Sequence, residues 1–315
     1  MKTALVTGCA GFIGSHVTDR LLKGGYTVVG IDNLRTGTLS NLAEALPNPN
    51  FKFIEKDITS EDFPGSIEGD ISIMFHLAAI ASVALSVEDP MLINKHNVTG
   101  TLRVLELARQ KRAKRVVFTS SAAVYGDPSL FPIKESFPLQ PLSPYAASKI
   151  AGEYYVRAFG TTFDIEHVIL RLFNVYGPRQ EHSEYSGVIA IFAHRATEGL
   201  SLEIEGDGLQ TRSFINVEDV SRAIQLAGEM PNAKGHTINI SNTESVSVLS
   251  VAEAIREQLG VEIVHREPRL GDIRDSIGDM TLAETVLGVS PTVPFTDGLK
   301  KTLAWYQEQA GLDAR

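Results

Sequence analysis

The sequence has very little cysteine and no long hydrophobic segment. Cys9 is the only cysteine among 315 residues, so no disulfide can form within the chain, as is typical of a reducing cytoplasm. No apolar run approaches the roughly 18 residues that a membrane-spanning helix needs. The short apolar segment after Met1 runs directly into a glycine motif, unlike a signal peptide. We therefore expect a cytoplasmic protein that does not enter a membrane.

Positive charge and paired histidines are also scarce. The formal net charge is −9, whereas nucleic-acid-binding proteins usually present a basic surface, so we expect no nucleic-acid partner. None of the eight histidines lie three or four residues apart, and one cysteine cannot form a CxxC motif. Zinc sites usually need such clusters, so we expect no metal. The hydrophobic content of 43% is enough for a large core, in more than one unit.

Short apolar segments alternate with helical patterns through the first half of the chain. The segments that predict strands are 3–7, 27–32, 51–58, 71–78, 115–121 and 165–173. They are rich in aliphatic residues, as expected for strands covered on both faces. Repeated β-α units predict an α/β fold with a doubly wound parallel sheet. The pattern loosens after about Asn174, which indicates a smaller, discontinuous second α/β domain.

Three glycines follow the first predicted strand. Gly8, Gly11 and Gly14 have the spacing GxxGxxG, and the next segment has a helical pattern. Such a turn brings backbone N–H groups close to a pyrophosphate at a helix N-terminus. Asp32 ends the second predicted strand, where an acid binds the adenosine ribose and repels a 2′-phosphate. These features favour a Rossmann-type site for NAD over NADP, and over a plain β-turn-α junction.

The segment SPYAASK combines a helix start with a tyrosine and a lysine. Ser143 can cap the helix and Pro144 suits its first turn, which puts Tyr145 and Lys149 on one face. An ammonium near a phenol lowers the phenol's pKa from its usual value of about 10 and makes it a candidate general base. The same spacing is common on surface helices, so the upstream dinucleotide loop is what favours an active site.

Several segments occur together in one order along the chain. They are TGCAGFIGSH, DNLRTG, HLAA, SVEDP, NVTGT, TSSAAVYG, PYAASK, RLFNVYGPRQ, GDGLQTRSFINVEDV and RLGDIRDS. Because these segments occur together in this order, the chain resembles the extended short-chain dehydrogenase/reductase family, and within it the UDP-glucose 4-epimerase group. The resemblance implies an NAD-binding domain (1–174 plus about 213–236) and a UDP-sugar-binding domain (about 175–212 plus 237–315). It also implies a homodimer formed through the helices near 91–110 and 145–159.

The resemblance assigns roles to individual residues. Tyr145 is implied as the base, Lys149 as the group that holds the nicotinamide ribose, and Ser121 as the partner of the reacting hydroxyl. The implied NAD contacts are Gly8, Gly11, Phe12, Ile13, Gly14, Asp32, Asn33, Leu34, Arg35, Thr36, Gly37, Asp57, Ile58, Leu77, Ala78, Ala79, Asn97, Thr119, Tyr145, Lys149 and Phe173. The implied UDP-sugar contacts are Ser121, Tyr145, Asn174, Arg212, Arg269, Asp272 and Ser276.

At two places the sequence differs from that of related enzymes in a way that bears on the reaction. Ala122 and Ala123 stand where the related 4,6-dehydratases carry an Asp-Glu pair, which disfavours dehydration and leaves a redox-neutral 4-epimerisation through a 4-keto sugar. Ser276 stands where epimerases restricted to unsubstituted hexoses carry a tyrosine. The resemblance therefore implies an isomerase that acts on UDP-glucose and UDP-galactose, and on UDP-GlcNAc and UDP-GalNAc.

Other functions stay open at this point. A UDP-glucuronate 4-epimerase is the main alternative, because Arg274 or another nearby arginine could pair with a C6 carboxylate. Another NAD-dependent sugar-nucleotide enzyme on the same scaffold is a further alternative. A non-catalytic dinucleotide-binding sensor is disfavoured, since Ser121, Tyr145 and Lys149 are all present. Ser213 stands where an aspartate is common, which leaves its role undefined.

Overall fold

The computed structural model of the protein describes residues 2–181, 186–268 and 274–313. Its strands are β1 Thr3–Thr7, β2 Thr27–Asp32, β3 Phe51–Glu55, β4 Ile73–His76, β5 Arg115–Ser121, β6 Glu166–Leu172, β7 Asn174–Tyr176, β8 Leu202–Glu205, β9 Thr211–Arg212, β10 Phe214–Asn216, β11 Thr237–Ile240, β12 Val246–Ser247, β13 Ile263–Arg266 and β14 Asp275–Ser276. Its α-helices are α1 Phe12–Lys23, α2 Val83–Glu88, α3 Pro90–Ile93, α4 Gly100–Gln110, α5 Pro144–Phe163, α6 Val188–Thr197, α7 Val217–Glu229, α8 Val248–Leu259, α9 Thr281–Leu287 and α10 Phe295–Asp313.

Seven parallel strands form the central sheet in the order β11-β6-β5-β4-β1-β2-β3. The chain builds outward from β1 through β2 and β3, then returns to the other side of β1 with β4. Ligands bind beyond the carboxyl ends of the strands at such a reversal, here between β1 and β4. The predicted doubly wound parallel sheet is confirmed, with three strands at their predicted bounds.

Two hydrophobic cores cover the two faces of this sheet. Side chains alternate along β1, so that Val6 packs with helices α1, α7 and α9, whereas Leu5 packs with α4 and α5. The other sheet strands divide in the same way, as Val117 and Val116 of β5 do. Burial on both faces is why the strands are nearly continuous apolar runs in the sequence.

A third core defines the smaller domain. Helices α6, α8 and α10 pack around β8 through side chains such as Phe192, Ile255 and Leu303. Around it, β8 pairs with β13, and β9 pairs with β12 and β14. This core lies beside the carboxyl edge of the main sheet, because β7 continues from β6 and pairs with β10.

The domain boundary differs from the sequence-based expectation at two segments. We expected 237–315 to belong to the smaller domain. However, Thr237–Ile240 pairs with β6 at the edge of the central sheet, and α9 contributes Ala283 and Leu287 to the core below it. We therefore propose that these segments belong to the first domain. Their backbone hydrogen bonds and apolar contacts are made with that sheet.

Candidate active site

The turn after β1 is shaped to hold a phosphate. Gly8 has φ +72°, and a Cβ atom there would lie 2.8 Å from the Ala78 nitrogen. A Cβ atom on Gly14 would lie 1.9 Å from the Gly8 oxygen. Gly11 caps α1 without any side-chain hydrogen bond, so the first N–H groups of α1 are available to an anion. The tight turn therefore brings a helix N-terminus close to where a dinucleotide pyrophosphate would lie.

Asp32 lies at the end of β2, beside this turn. Its carboxylate is buried and accepts hydrogen bonds from the backbone N–H groups of Ala10 and Leu34, both at 2.9 Å. Burial raises the pKa of Asp32, and the backbone donors partly offset that effect. A ribose hydroxyl would share this carboxylate with the backbone donors of the turn.

A cleft of about 570 Å³, here called the cofactor cleft, opens at the carboxyl edge of the sheet. The predicted residues that line it are Gly8, Gly11, Phe12, Ile13, Gly14, Asp32, Asn33, Arg35, Thr36, Ile58, Leu77, Ala78, Ala79 and Thr119. The sequence motifs missed Lys56, His96, Arg179 and Gln180, which also line it. Lys56 and His96 lie outside every motif, whereas Arg179 and Gln180 end the segment RLFNVYGPRQ but had no predicted cofactor contact.

Other predicted cofactor residues lie behind the lining. Leu34 donates its N–H to Asp32, and Gly37 packs against the Ala10 backbone, which a Cβ atom would approach to 2.6 Å. Asp57 accepts a hydrogen bond from the Asn33 amide at 3.0 Å. Phe173 packs in a small core with Tyr125. Leu34, Gly37 and Asp57 therefore hold the segments beside the cleft, whereas Phe173 lies in a separate core.

Asn97 links the cleft to the helix that carries Tyr145. It lies on a π-helical turn, Asn94–Thr99, a feature often found at functional sites. Its side chain bonds both backbone groups of Ile80, at 2.8 and 3.1 Å, and donates to Ser148 at 3.0 Å. The loop at the cleft wall and α5 are therefore held to each other by one buried amide.

Tyr145 and Ser121 meet where α5 begins and β5 ends. As predicted, Ser143 caps α5 by accepting the Ala146 N–H, and Pro144 occupies the first turn. The Ser121 side chain is close enough to the Tyr145 hydroxyl to lower the pKa of the phenol. We expected Lys149 to lower the pKa of the phenol; in the protein alone, burial raises that pKa and only the nearby Ser121 side chain opposes the rise. Burial is the larger effect because Tyr145 is 8% exposed.

Lys149 lies one turn beyond Tyr145 and is also buried, with 5% exposure. Its Nζ donates to the Thr119 carbonyl at 2.9 Å and lies 5.3 Å from the centre of the Phe118 ring. Burial lowers the pKa of Lys149 to about 8, and the Glu153 carboxylate opposes that shift. The ammonium is thus held beside the cofactor cleft, close to its titration point at neutral pH.

A second cavity of about 690 Å³ adjoins the cofactor cleft. The two share Gln180, Ser186 and Gly187 as lining residues, so they adjoin at this segment and are together called the groove here. Of the predicted substrate residues, Asn174 and Arg212 line this cavity. Arg195, Gln210 and Arg266 also line it, although no substrate contact was predicted for them. Arg195 and Arg266 lie outside every motif, and Gln210 lies within GDGLQTRSFINVEDV.

The remaining predicted substrate residues lie at its edge or outside the described residues. Ser276 lies on β14 opposite Arg212 of β9 and is not among the residues that line the described cavity. Arg269 and Asp272 lie outside the described residues. Ser213 has a defined role: it is fully buried, its N–H donates to the Ser276 carbonyl at 2.9 Å, and its hydroxyl meets that of Ser241 at 2.6 Å. It therefore holds β14 in place.

His76, at the end of β4, lies outside this groove. His76 is buried between the hydroxyls of Thr7 and Thr101, at 2.7 and 2.9 Å, which gives it a structural role. Over the described ranges, no cluster of three metal-ligating side chains occurs. In the same part of the chain, no helix is long and apolar enough to cross a membrane.

The fold and the groove together define an NAD-dependent enzyme of the extended short-chain dehydrogenase/reductase type. Residues 4–241 match the model of the NAD dependent epimerase/dehydratase family, and the chain belongs to this family. Within it, the similarities below place the chain among the UDP-sugar 4-epimerases, which are isomerases, and its cofactor is NAD.

Three similar proteins illustrate the relationship. A UDP-glucose 4-epimerase of Mycolicibacterium smegmatis is 40% identical over 98% of this chain and 100% of its own length. The structure of a UDP-N-acetylglucosamine 4-epimerase from Methanobrevibacter ruminantium M1, in complex with UDP-N-acetylmuramic acid, is 35% identical with a TM-score of 0.92, over 98% of this chain and 99% of that one. A UDP-glucuronic acid 4-epimerase from Bacillus cereus, in complex with UDP-glucuronic acid and NAD, is 33% identical with a TM-score of 0.91 and the same coverage.

Proposed function

We propose that the protein interconverts UDP-glucose with UDP-galactose, and UDP-GlcNAc with UDP-GalNAc, by reversible oxidation at C4 of the sugar. One observation carries the proposal: Tyr145, with Ser121 beside it, lies one helical turn from Lys149, and Lys149 is bonded to Thr119 in the wall of a cleft shaped for NAD. The adjoining cavity, with Arg212 in its wall, offers a cationic contact for the diphosphate of a UDP-sugar.

Some residues of the chain would bind the cofactor, and others would transfer protons. Backbone N–H groups at the start of α1 would hold the NAD diphosphate, and Asp32 would hold its adenosine ribose. When bound, NAD supplies the hydride acceptor and donor for C4. Tyr145 would take the proton of the 4-hydroxyl, directly or through Ser121, and later return it. The Lys149 ammonium would hold the nicotinamide ribose.

The residues after β5 support epimerisation over elimination. Ala122 and Ala123 follow Ser121 in a short 3₁₀ turn, and neither can carry a proton. Loss of water from a keto sugar needs an acid and a base near C5 and C6. We propose that the 4-keto sugar instead rotates and is reduced on its other face, while the nucleotide stays bound.

The proposed substrate range rests on the small side chain of Ser276. The bonds from Ser213 fix the carbonyl of Ser276 next to Arg212, so the serine stands close to the edge of the second cavity. A serine leaves room for a 2-acetamido group, whereas a tyrosine ring would occupy that space. A C6 carboxylate finds less support, because Arg274 is exposed and paired with Asp207 at 3.0 Å.

Purified enzyme incubated with each UDP-hexose and no added reductant tests the proposal. Chromatography with mass detection should show isomers of unchanged mass for UDP-galactose and UDP-GalNAc. Tyr145→Phe should lose about 10²-fold or more in kcat, while Tyr154→Phe, an exposed tyrosine on the same helix, should keep wild-type activity. Full activity of Tyr145→Phe would refute the mechanism. Turnover of UDP-galactose but not UDP-GalNAc would refute the role of Ser276.

We also propose that two copies of the chain associate through the segments 91–110 and 145–159. Met91 and Tyr154 are exposed in these segments, and Met91 is 75% exposed. Sedimentation should report a dimer, and Met91→Glu should weaken it; a wild-type monomer at micromolar concentration would contradict this. A cytoplasmic location remains our proposal, supported by the unpaired Cys9.

A further inference from the structure

A buried network of polar side chains lies directly behind the Tyr145–Lys149 pair. At its centre is Glu153, fully buried on α5 one turn beyond Lys149. Its Oε1 accepts hydrogen bonds from Ser120 Oγ at 2.7 Å and Arg171 Nε at 2.8 Å. Its Oε2 accepts a second bond from Arg171 at 2.8 Å and one from Arg157 at 3.1 Å. Glu153 therefore joins α5 to the two neighbouring strands β5 and β6.

The same network continues to the turn that follows β5. Arg171 also donates to the Tyr125 hydroxyl at 2.8 Å, and its guanidinium lies 4.8 Å from the centre of that ring. The Tyr125 hydroxyl in turn donates to Asn239 on β11 at 2.6 Å. Ser121 thus lies between two anchored residues, Ser120 before it and Tyr125 at the end of the 3₁₀ turn. Its position relative to α5 is set by this network.

The charge of Glu153 also acts on Lys149. Along α5 the ionisable neighbours are Tyr145, Glu153 and Arg157; from β4 and β6 they are His76 and Arg171. His76 is neutral, because burial lowers its pKa to about 3. The π-helical turn Asn94–Thr99 and helices α2 and α4 also pack against α5, and none of their charged groups shifts the pKa of Lys149. Of the described residues, Glu153 is the one whose charge raises that pKa.

We propose that Glu153 is a positioning residue of the epimerisation, which fixes Ser121 relative to Lys149 and keeps the Lys149 ammonium charged inside the protein. The inference rests on the proposed roles of Ser121, Tyr145 and Lys149. A buried ion pair is costly and often replaceable by apolar side chains without loss of stability. The Glu153 carboxylate stabilises the charged form of the buried Lys149, which an apolar side chain at this position could not do.

Glu153→Gln removes the charge and keeps the shape, and its effect is read from pH profiles. We expect kcat to fall at least tenfold and the alkaline limb of kcat against pH to move to lower pH by about one pH unit, with KM nearly unchanged. Ser120→Ala keeps the charges of Glu153 and Lys149 but loses the hydrogen bond from β5 to Glu153. We therefore expect kcat to fall several-fold while the alkaline limb of kcat against pH stays at the same pH. Arg109→Gln is the control, because Arg109 pairs with Glu106 on the exposed side of α4, outside this network, and should leave both quantities unchanged.

The outcomes separate this inference from the proposed function. If the wild type epimerises and Ser120→Ala keeps wild-type kcat, the positioning role is refuted, even if Glu153→Gln fails to fold. A folded Glu153→Gln variant with an unchanged alkaline limb refutes the charge role. If the wild type epimerises no UDP-hexose, the proposed function fails. The titration of Lys149, followed by NMR of ¹³C-labelled lysine, then decides the charge role alone: it should still move to lower pH in Glu153→Gln.

Discussion

Gly14 is the position in the phosphate turn where a single methyl group should do the most damage. In Gly14→Ala the new Cβ atom would lie 1.9 Å from the Gly8 oxygen and 2.7 Å from the Gly8 carbonyl carbon. Ordinary contacts begin near 3.4 Å, so the first distance is about 1.5 Å too short. Both atoms belong to the backbone, so α1 or the turn itself must move.

The expected cost follows from two opposing effects. Overpacking of this kind costs about 1–3 kcal/mol, and a contact with backbone belongs near the upper end. Alanine in place of glycine within a helix stabilises the helix by about 1 kcal/mol. We therefore expect a net loss of about 2 kcal/mol in the free energy of unfolding. Because the displaced turn is the proposed phosphate site, NAD affinity should fall at least tenfold, which corresponds to about 1.4 kcal/mol.

Denaturant unfolding and calorimetric titration with NAD measure the two quantities. Gly11→Ala is the matched variant in the same turn, since its Cβ atom would approach the Gly8 oxygen only to 3.3 Å at a φ of −75°. It should lose under about 1 kcal/mol of stability. Gly65→Ala, with no atom within 4 Å of its Cβ, should match the wild type in both measurements. Equal stability and NAD affinity for Gly14→Ala and Gly65→Ala would refute the steric argument.

Two further predictions concern buried titratable groups. Burial raises the pKa of the Cys9 thiol, so a thiol reagent should label it only on unfolding; immediate labelling of the native protein would contradict this. The pKa of His76 is about 3 in the folded state and about 6.5 unfolded, so the unfolded chain binds more protons between these values. Stability should therefore fall with decreasing pH in that range, by up to about 1.4 kcal/mol per pH unit, as measured by denaturant unfolding. His76→Gln should lack this contribution, and a difference from wild type that is constant with pH would argue against it.

Much of the first domain could be predicted because its signals are local. Strands β1, β2 and β5 begin and end where the apolar segments do, since both faces of each strand are covered. The glycine turn, Asp32 and the capped start of α5 also depend on residues that are close in sequence. The predicted strand 51–58 ends early, at Glu55, because the Asp57 carboxylate accepts the Thr59 N–H and turns the chain.

The sequence by itself determined the class of fold, the cofactor turn and the Tyr145–Lys149 pair, because each depends on the spacing of residues that are close together in the chain. The tertiary structure decided that β11 extends the main sheet and that Arg212 and Gln210 line one cavity. It also decided that Glu153 and Arg171 meet behind Lys149, although 18 residues separate them. Such contacts depend on the order of the strands. The pKa values of Tyr145 and Lys149 depend on burial, which no spacing of residues along the chain encodes.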